Sequence, residues 1–159
     1  MRIFICYRVY PNNPKLTKLL VEPYYREFIK VGYEVYCHLY DQNTSFLETL
    51  EQLSKCDIVV VMNRFGTPND FSPSQLLEIG FAKAKNIPII LCAAVNYSSF
   101  TASSSLAEMV IMTDFNYRNI QEFIKYIETY FVRQTITVGG HIGRKGPEPE
   151  IKSSLLSRL

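Results

Sequence analysis

Five short apolar runs recur along the chain, and longer segments with helical periodicity separate them. Such runs, rich in Ile and Val and apolar on both faces, are typical of strands buried in a parallel sheet. The pattern therefore predicts five parallel strands. They are residues 3–7 (IFICY), 34–37 (EVYC), 58–62 (IVVVM), 87–93 (IPIILCA) and 109–112 (MVIM).

The intervening segments predict helices. Ser45 precedes leucines at helical spacing and has Glu48 three residues after it, which is the pattern of a capping box. A second helix is predicted behind Ser74, with an apolar face that includes Leu76 and Leu77. The clearest amphipathic pattern comes last along the chain. Its members are Ile120, Phe123, Ile124, Ile127 and Phe131.

Prolines interrupt the segment between the first two strands, at positions 11, 14 and 23. We expect a loop there, a helical turn over 15–21, and a helix from about 22 to 31. Gly32 stands in the C′ position that commonly closes a helix.

Alternation of strands and helices predicts an α/β fold, a doubly wound five-stranded parallel sheet between two helical layers. We expect the strand order 2-1-3-4-5, which places a ligand crevice at the carboxyl ends of the first and third strands. This α/β domain is predicted over residues 1–133. Residues 134–159 lack clear periodicity and form an irregular, glycine-containing basic tail.

Composition narrows the class of protein. The 159 residues are 47% hydrophobic and 20% charged, which suits a globular domain rather than a disordered chain. The tail has four basic and two acidic residues and so carries the whole net charge of +2, leaving 1–133 neutral. A neutral body lacks the clustered positive charge that duplex nucleic acid requires. We expect no membrane span and no signal peptide, hence a cytoplasmic protein.

The cysteines and the missing motifs bear on cofactors. Four cysteines lie in or beside apolar runs without a CxxC pair, which predicts buried reduced thiols rather than a metal site. The chain contains no GxGxxG, GxxxxGK[ST] or GxSxG pattern. These observations predict neither a metal nor a nucleotide cofactor.

Candidate chemistry lies in the loops at the carboxyl edge of the predicted sheet. The first strand ends at Cys6, Tyr7 and Arg8, and a long loop that begins at Asn63 follows the third strand. Glu78 falls in the helix after that loop. An acid there either complements the helix dipole or takes part in catalysis, and the residues alone leave both roles open.

The stretch SFLETLEQLSKCDIVVVM and its continuation SPSQLLEIGFAKAKNIPII resemble the nucleoside 2-deoxyribosyltransferase-like family over residues 45–92. Ser72 stands six residues before Glu78, as in that family's pattern. The resemblance implies a flavodoxin-like fold, a homo-oligomer, and Glu78 as the nucleophile that attacks the anomeric carbon of a (deoxy)ribosyl group. With a serine at position 72, the chain resembles the branch of that family that acts on nucleoside 5′-monophosphates. Segment 105–111 (SLAEMVI) is similar to one that reaches a neighbouring subunit's site.

A second resemblance involves residues 4–8, FICYR, which are similar to the opening box FISYR of Toll/interleukin-1 receptor (TIR) domains. Ser72 and Glu78 also match the first and last members of the S-x-W-C-x-x-E box of those domains. This resemblance implies that the glutamate cleaves the nicotinamide–ribose bond of NAD.

Together these features predict an enzyme that hydrolyses or transfers at the N-glycosidic bond of a nucleoside or nucleoside 5′-monophosphate, through Glu78. Two alternatives stay open: a TIR-like NAD hydrolase, and a non-catalytic TIR-like or nucleotide-sensing interaction module. The expected partners are the small-molecule nucleoside or nucleotide and further copies of the chain. The expected substrate-binding residues are Cys6, Tyr7, Arg8, Asn63, Ser72 and Ser74.

Overall fold

A computed structural model describes residues 1–10, 12–40, 45–63, 71–94, 109–113 and 120–129. The chain divides into two units, Met1–Tyr126 and Ile127–Leu159. The first unit contains every described strand, and of the second only the helical residues 127–129 are described. The predicted domain boundary at residue 133 and the tail 134–159 lie outside the described residues.

Strands and helices alternate as the apolar runs predict. In chain order they are β1 (Arg2–Tyr7), α1 (Pro14–Lys30), β2 (Glu34–Tyr36), α2 (Phe46–Ser54), β3 (Ile58–Asn63), α3 (Pro73–Ala84), β4 (Ile89–Ala94), β5 (Met109–Thr113) and α4 (120–129). All strand pairs are parallel, and the strands hydrogen-bond in the order β2-β1-β3-β4-β5. The α/β class and the parallel sheet are confirmed, and the strand order is the predicted one.

One face of the sheet packs against α2 and α3. Phe4 and Cys6 of β1 point to this face and cluster with Leu53 of α2 and with Ile79 and Ala82 of α3. Every member of this cluster is at most 8% exposed, so α3 is held against β1 and β3 by apolar burial.

The opposite face packs against α1. Its buried aromatic rings, Tyr24 and Phe28, both contact Phe123 of α4, with ring centroids 5.7 and 5.9 Å apart respectively. The helices therefore lie on both faces of the sheet, as a doubly wound fold requires.

Helix α1 differs from the prediction. It is one helix from Pro14 to Lys30, and Pro23 lies inside it, so the predicted break before residue 22 is wrong. The buried positions Thr17, Val21 and Tyr24 form a continuous stripe along it. Burial of that stripe outweighs the roughly 3 kcal/mol that an interior proline costs a helix.

Both ends of α1 have clear local causes. Asn13 caps its N-terminus by accepting a hydrogen bond from the Leu16 backbone N–H at 3.1 Å. Gly32 follows its C-terminus with a φ of +88°, a left-handed conformation that favours glycine, so the predicted C′ role of Gly32 is confirmed.

Helix α3 also corrects two predictions. Its N-cap is Ser72 rather than Ser74, because Pro73 takes the first helical position, where a missing N–H costs nothing. Its buried side chains include Gln75 and Ile79, whereas Leu76 and Leu77 are more than half exposed. The predicted apolar face is therefore wrong.

The four cysteines are free thiols, and Cys6, Cys37 and Cys92 are buried as predicted, whereas Cys56 is half-buried. Within the described ranges, no cluster of His, Cys, Asp or Glu side chains could hold a metal ion. No helix in the same ranges is long and apolar enough to cross a membrane.

Candidate functional site

The candidate site lies at the carboxyl edge of the sheet, where β1 and β3 end side by side. Tyr7 pairs with Met62 in the parallel register of these two strands. The chain proceeds from β1 to β2 on one side and returns to β3 on the other, so this is the topological switch point of the sheet. Ligands of doubly wound folds bind at such a point.

Glu78 lies in the first half of α3, on the side that faces β1. Its side chain is half-buried, and burial raises the pKa of its carboxyl from 4.5 to about 7. A hydrogen bond with the Cys6 thiol acts in the opposite direction and lowers that pKa in part. Near neutral pH, the site therefore holds both the ionised and the neutral carboxyl.

Cys6 lies behind this carboxylate and has no exposed surface. Burial raises the pKa of its thiol well above the usual value, and the negative charge of Glu78 raises it further. The Gln75 side chain hydrogen-bonds to the thiol and lowers its pKa. Cys6 is thus a neutral thiol that contacts both Gln75 and Glu78, and a direct contact with substrate stays a prediction.

Tyr7 stands at the end of the same strand. Burial raises the pKa of its phenol, and Cys37 and Glu78 raise it further, so the ring carries a neutral hydroxyl. Tyr7 and Arg8 line a small cleft between β1 and α1, and the Arg8 guanidinium lies 5.5 Å from the centre of the Tyr10 ring. An aromatic ring and a cation thus border the same small cleft.

The start of α3 is a capping box. The Ser72 hydroxyl accepts from the Gln75 backbone N–H at 3.2 Å, and the Gln75 side-chain oxygen accepts from the Ser72 N–H at 3.0 Å. The hydroxyl oxygens of Ser72 and Ser74 lie 2.9 Å apart. Two hydroxyls are thus grouped at the positive end of the helix dipole, which favours an anionic ligand.

The structure places Cys6 and Tyr7 close to Glu78, and Ser72 close to Ser74. Cys6 and Tyr7 end β1, Arg8 follows them, and Ser72 and Ser74 open the helix that carries Glu78. Asn63 is the last residue of β3, where it pairs with Ala93, but its side chain is outside the described part of the chain. The rest of the predicted loop, 64–70, and the first residues of segment 105–111 are outside it as well.

Sequence reasoning missed Gln75. The side chain is 1% exposed, and its amide nitrogen donates to the backbone carbonyl of Met62 at 3.4 Å. The Ser-x-x-Gln spacing from Ser72 is a capping-box signal that could have revealed the cap. No sequence signal marks its bond to the end of β3.

Comparisons with known proteins show which molecules share this fold. No protein-family model matches the chain, and no curated protein sequence matches it significantly. Among solved structures, a CMP N-glycosidase of Clostridium botulinum is similar with a TM-score of 0.57 and 21% identity, covering 79% of this chain and 99% of that one.

Two further solved structures are similar. A 2-deoxyribosyltransferase of Bacillus psychrosaccharolyticus has a TM-score of 0.55 and 14% identity, and the match covers 73% of this chain and 88% of that one. A conserved protein of Enterococcus faecalis V583 has a TM-score of 0.52 and 17% identity, covering 77% of this chain and 98% of that one. At these identities the shared property is the fold, which is consistent with the flavodoxin-like fold that the sequence resemblance implies.

Proposed function

We propose that this protein is an N-glycosidase or (deoxy)ribosyltransferase of nucleosides or nucleoside 5′-monophosphates, with Glu78 as its nucleophile. The observation that carries the proposal is a half-buried carboxylate with a raised pKa at the switch point of the sheet. Two structures with this fold are those of a CMP N-glycosidase and a 2-deoxyribosyltransferase, and the activities of these two proteins support the same class of reaction.

The reaction begins when an ionised Glu78 oxygen attacks the anomeric carbon of the sugar. A C–O bond forms to the carboxylate while the C–N bond to the base breaks, and the bonding electrons leave with the base, which takes up a proton. Water then displaces the carboxylate in a hydrolase, or the nitrogen of a second base does so in a transferase. Either step returns Glu78 to its free form.

The environment of Glu78 suits this cycle. A carboxylate that burial has partly stripped of water is a stronger nucleophile, and its ester with the sugar carries no charge that burial disfavours. The hydrogen bond from Cys6 keeps a fraction of the carboxyl ionised near neutral pH. For this reason we propose that the role of Cys6 is to favour the ionised form of the Glu78 carboxyl.

The other side chains supply the binding groups. The hydroxyls of Ser72 and Ser74, at the N-terminus of α3, would bind a phosphate or the sugar hydroxyls. Tyr7 and Arg8, in the cleft beside β1, would contact the base or pair with a phosphate. Asn63 would hydrogen-bond to the sugar or base. The protein would act as a homo-oligomer.

The test is release of free base from a panel of nucleosides, nucleoside 5′-monophosphates and NAD, followed by chromatography. We expect Glu78→Gln and Glu78→Ala to lower the rate at least about a thousandfold, because each removes the nucleophile. The control is Glu51→Gln, which removes an exposed carboxylate of α2 paired with Lys55 at 2.8 Å.

Each other outcome has a definite meaning. Base release that is equally fast with Glu78→Ala contradicts the assignment of the nucleophile. Release of nicotinamide from NAD alone supports the TIR-like hydrolase instead. Ligand binding without any turnover supports the non-catalytic module. Exchange of one base for another, with retained configuration at the anomeric carbon, distinguishes a transferase from a hydrolase.

A further inference from the structure

We propose that Gln75 is a positioning residue for Glu78, because its buried carboxamide joins the start of α3 to the end of β3 and contacts the thiol that touches the carboxylate. This inference rests on the proposed function for its catalytic consequence. It concerns a residue that contacts neither the substrate nor the reacting atoms.

Gln75 and Glu78 occupy the same face of α3. Gln75 is the third residue of α3, and Glu78 follows three residues later, so the two side chains lie on the same face, one turn apart. Any shift of the first turn of α3 therefore moves the Glu78 carboxylate with it. A group that fixes the first turn also fixes the carboxylate.

The Gln75 side chain bonds to groups from several elements. The Gln75 oxygen accepts from the Ser72 N–H at 3.0 Å, and its nitrogen donates to the Met62 carbonyl at 3.4 Å. The same side chain hydrogen-bonds to the Cys6 thiol. One carboxamide thus connects the helix cap, the end of β3 and the end of β1.

The Gln75 side chain is also buried. Gln75 is 1% exposed, and a buried carboxamide without hydrogen bonds would destabilise the fold. The Gln75 carboxamide makes its hydrogen bonds in this geometry. Displacement of α3 from β3 would break the bond to Met62 and leave a buried polar group without its partner. The carboxamide therefore opposes displacement more strongly than an apolar side chain of equal volume would.

The chemical identity of the Gln75 side chain matters for these bonds. The contacts require an acceptor for Ser72 and a donor for Met62, and a carboxamide offers both. A carboxylate keeps the acceptor and loses the donor. Methionine has a similar volume and offers neither, so Gln75→Glu and Gln75→Met separate the bond to β3 from the cap.

The experiment uses the full chain with two readouts. The first is a carbon-13 NMR titration of the Glu78 carboxyl, assigned by the loss of its signal in Glu78→Gln. The second is kcat and KM on the substrate that wild type turns over. We expect Gln75→Met and Gln75→Glu to lower kcat about tenfold or more with KM changed less than about threefold, and to move the titration midpoint upward.

The matched control is Glu48→Met, which removes the third-position residue of the other capping box, on α2. It weakens a helix cap in the same way, but its carboxyl is exposed and, among the described residues, bonds to Ser45 alone. We expect it to lower the melting temperature without moving the Glu78 midpoint or kcat.

The outcomes separate this inference from the proposed function. If wild type releases no base, the proposed function fails, and the Glu78 midpoint still tests the positioning role. A midpoint that is the same in wild type and in both folded Gln75 variants overturns the inference. An equal shift in Glu48→Met also overturns it, because the effect would then follow from a loosened helix rather than from the bond to β3.

Discussion

Helices α2 and α3 begin with the same local motif and differ in what that motif does. Each starts at a serine whose hydroxyl caps the third residue, and each third residue returns a bond to the serine N–H, with Glu48 bonding to Ser45 at 2.6 Å and Gln75 to Ser72 at 3.0 Å. In α2 the returning group is charged and exposed. In α3 it is neutral, buried and bonded to a neighbouring strand.

The difference shows how tertiary context changes a local motif. The cap of α2 satisfies backbone N–H groups, and its carboxylate is exposed to water. The cap of α3 satisfies the same groups and also joins the helix to the carboxyl edge of the sheet. Only the second arrangement can determine where an acid one turn later is placed.

The largest expected effect tests whether α2 supports the site. Leu53 of α2 is fully buried in the cluster that includes Ile79 of α3, and Leu53→Ala should lower the free energy of unfolding by about 2–5 kcal/mol, measured by urea denaturation. Below the melting temperature we expect the pKa of Glu78 to stay near 7. A large change in that pKa would show that α2 packing also places the carboxylate.

The next effect concerns the pH dependence of stability. The folded chain holds the pKa of Glu78 above its usual 4.5, at about 7, so between these values it binds a proton more tightly than the unfolded chain does. The free energy of unfolding should therefore fall by about 3 kcal/mol as the pH rises through this window. Glu78→Gln should abolish that fall in urea denaturation from pH 4 to 8, and an unchanged profile would contradict the raised pKa.

A smaller effect compares the two capping serines. Ser45→Ala and Ser72→Ala should each lower the free energy of unfolding by about 1 kcal/mol, because each removes one helix cap. Only Ser72→Ala should also raise KM, and more for a nucleoside monophosphate than for the nucleoside. Equal KM values for the two variants would contradict the proposal that Ser72 binds the phosphate.

The smallest effect has the opposite pH dependence from that of Glu78. Hydrogen bonds from the backbone and side chain of Ser45 hold the pKa of Glu48 below 4.5. The stabilisation from this carboxylate is present above pH 4.5 and is lost as the pH falls through the lowered pKa. Wild type should therefore exceed Glu48→Gln in melting temperature at pH 7, and the two should converge in acid.

Much of the fold could be predicted because its causes are local. The Ile- and Val-rich run over residues 58–62 is apolar at every position, which only a strand buried on both faces requires, and β3 is such a strand. The Ser45 cap and the Gly32 turn depend on neighbouring residues alone, and both predictions are confirmed.

The wrong predictions concern features that depend on contacts between residues distant in sequence. Pro23 marks a helix break by local rules, yet the buried stripe of α1 continues through it. Leu76 and Leu77 suggest a buried face by their type, but the face of α3 that meets the sheet is the one that carries Gln75. A glutamine is usually a surface residue, and its burial here depends on a carbonyl of β3 that is distant in sequence.

The candidate site likewise has features that the sequence predicts and features that depend on packing. Glu78 could be proposed because its spacing from Ser72 matches the pattern of the family that the sequence resembles. Its raised pKa could not be predicted, since that value depends on burial against β1 and on the Cys6 thiol. The resemblance along the chain predicts which acid is the candidate, and packing determines its proton affinity.

The state of the cysteines has a practical consequence for these experiments. Burial raises the pKa of Cys6 and Cys92, burial and the neighbouring Asp57 raise that of Cys56 to about 12, and Cys37 is enclosed. Thiol reagents attack the thiolate, so at neutral pH the folded chain should react with a chromogenic disulfide mainly when it opens. The rate of colour release then measures how often each variant unfolds, and it distinguishes an inactive but intact enzyme from one that has lost its structure.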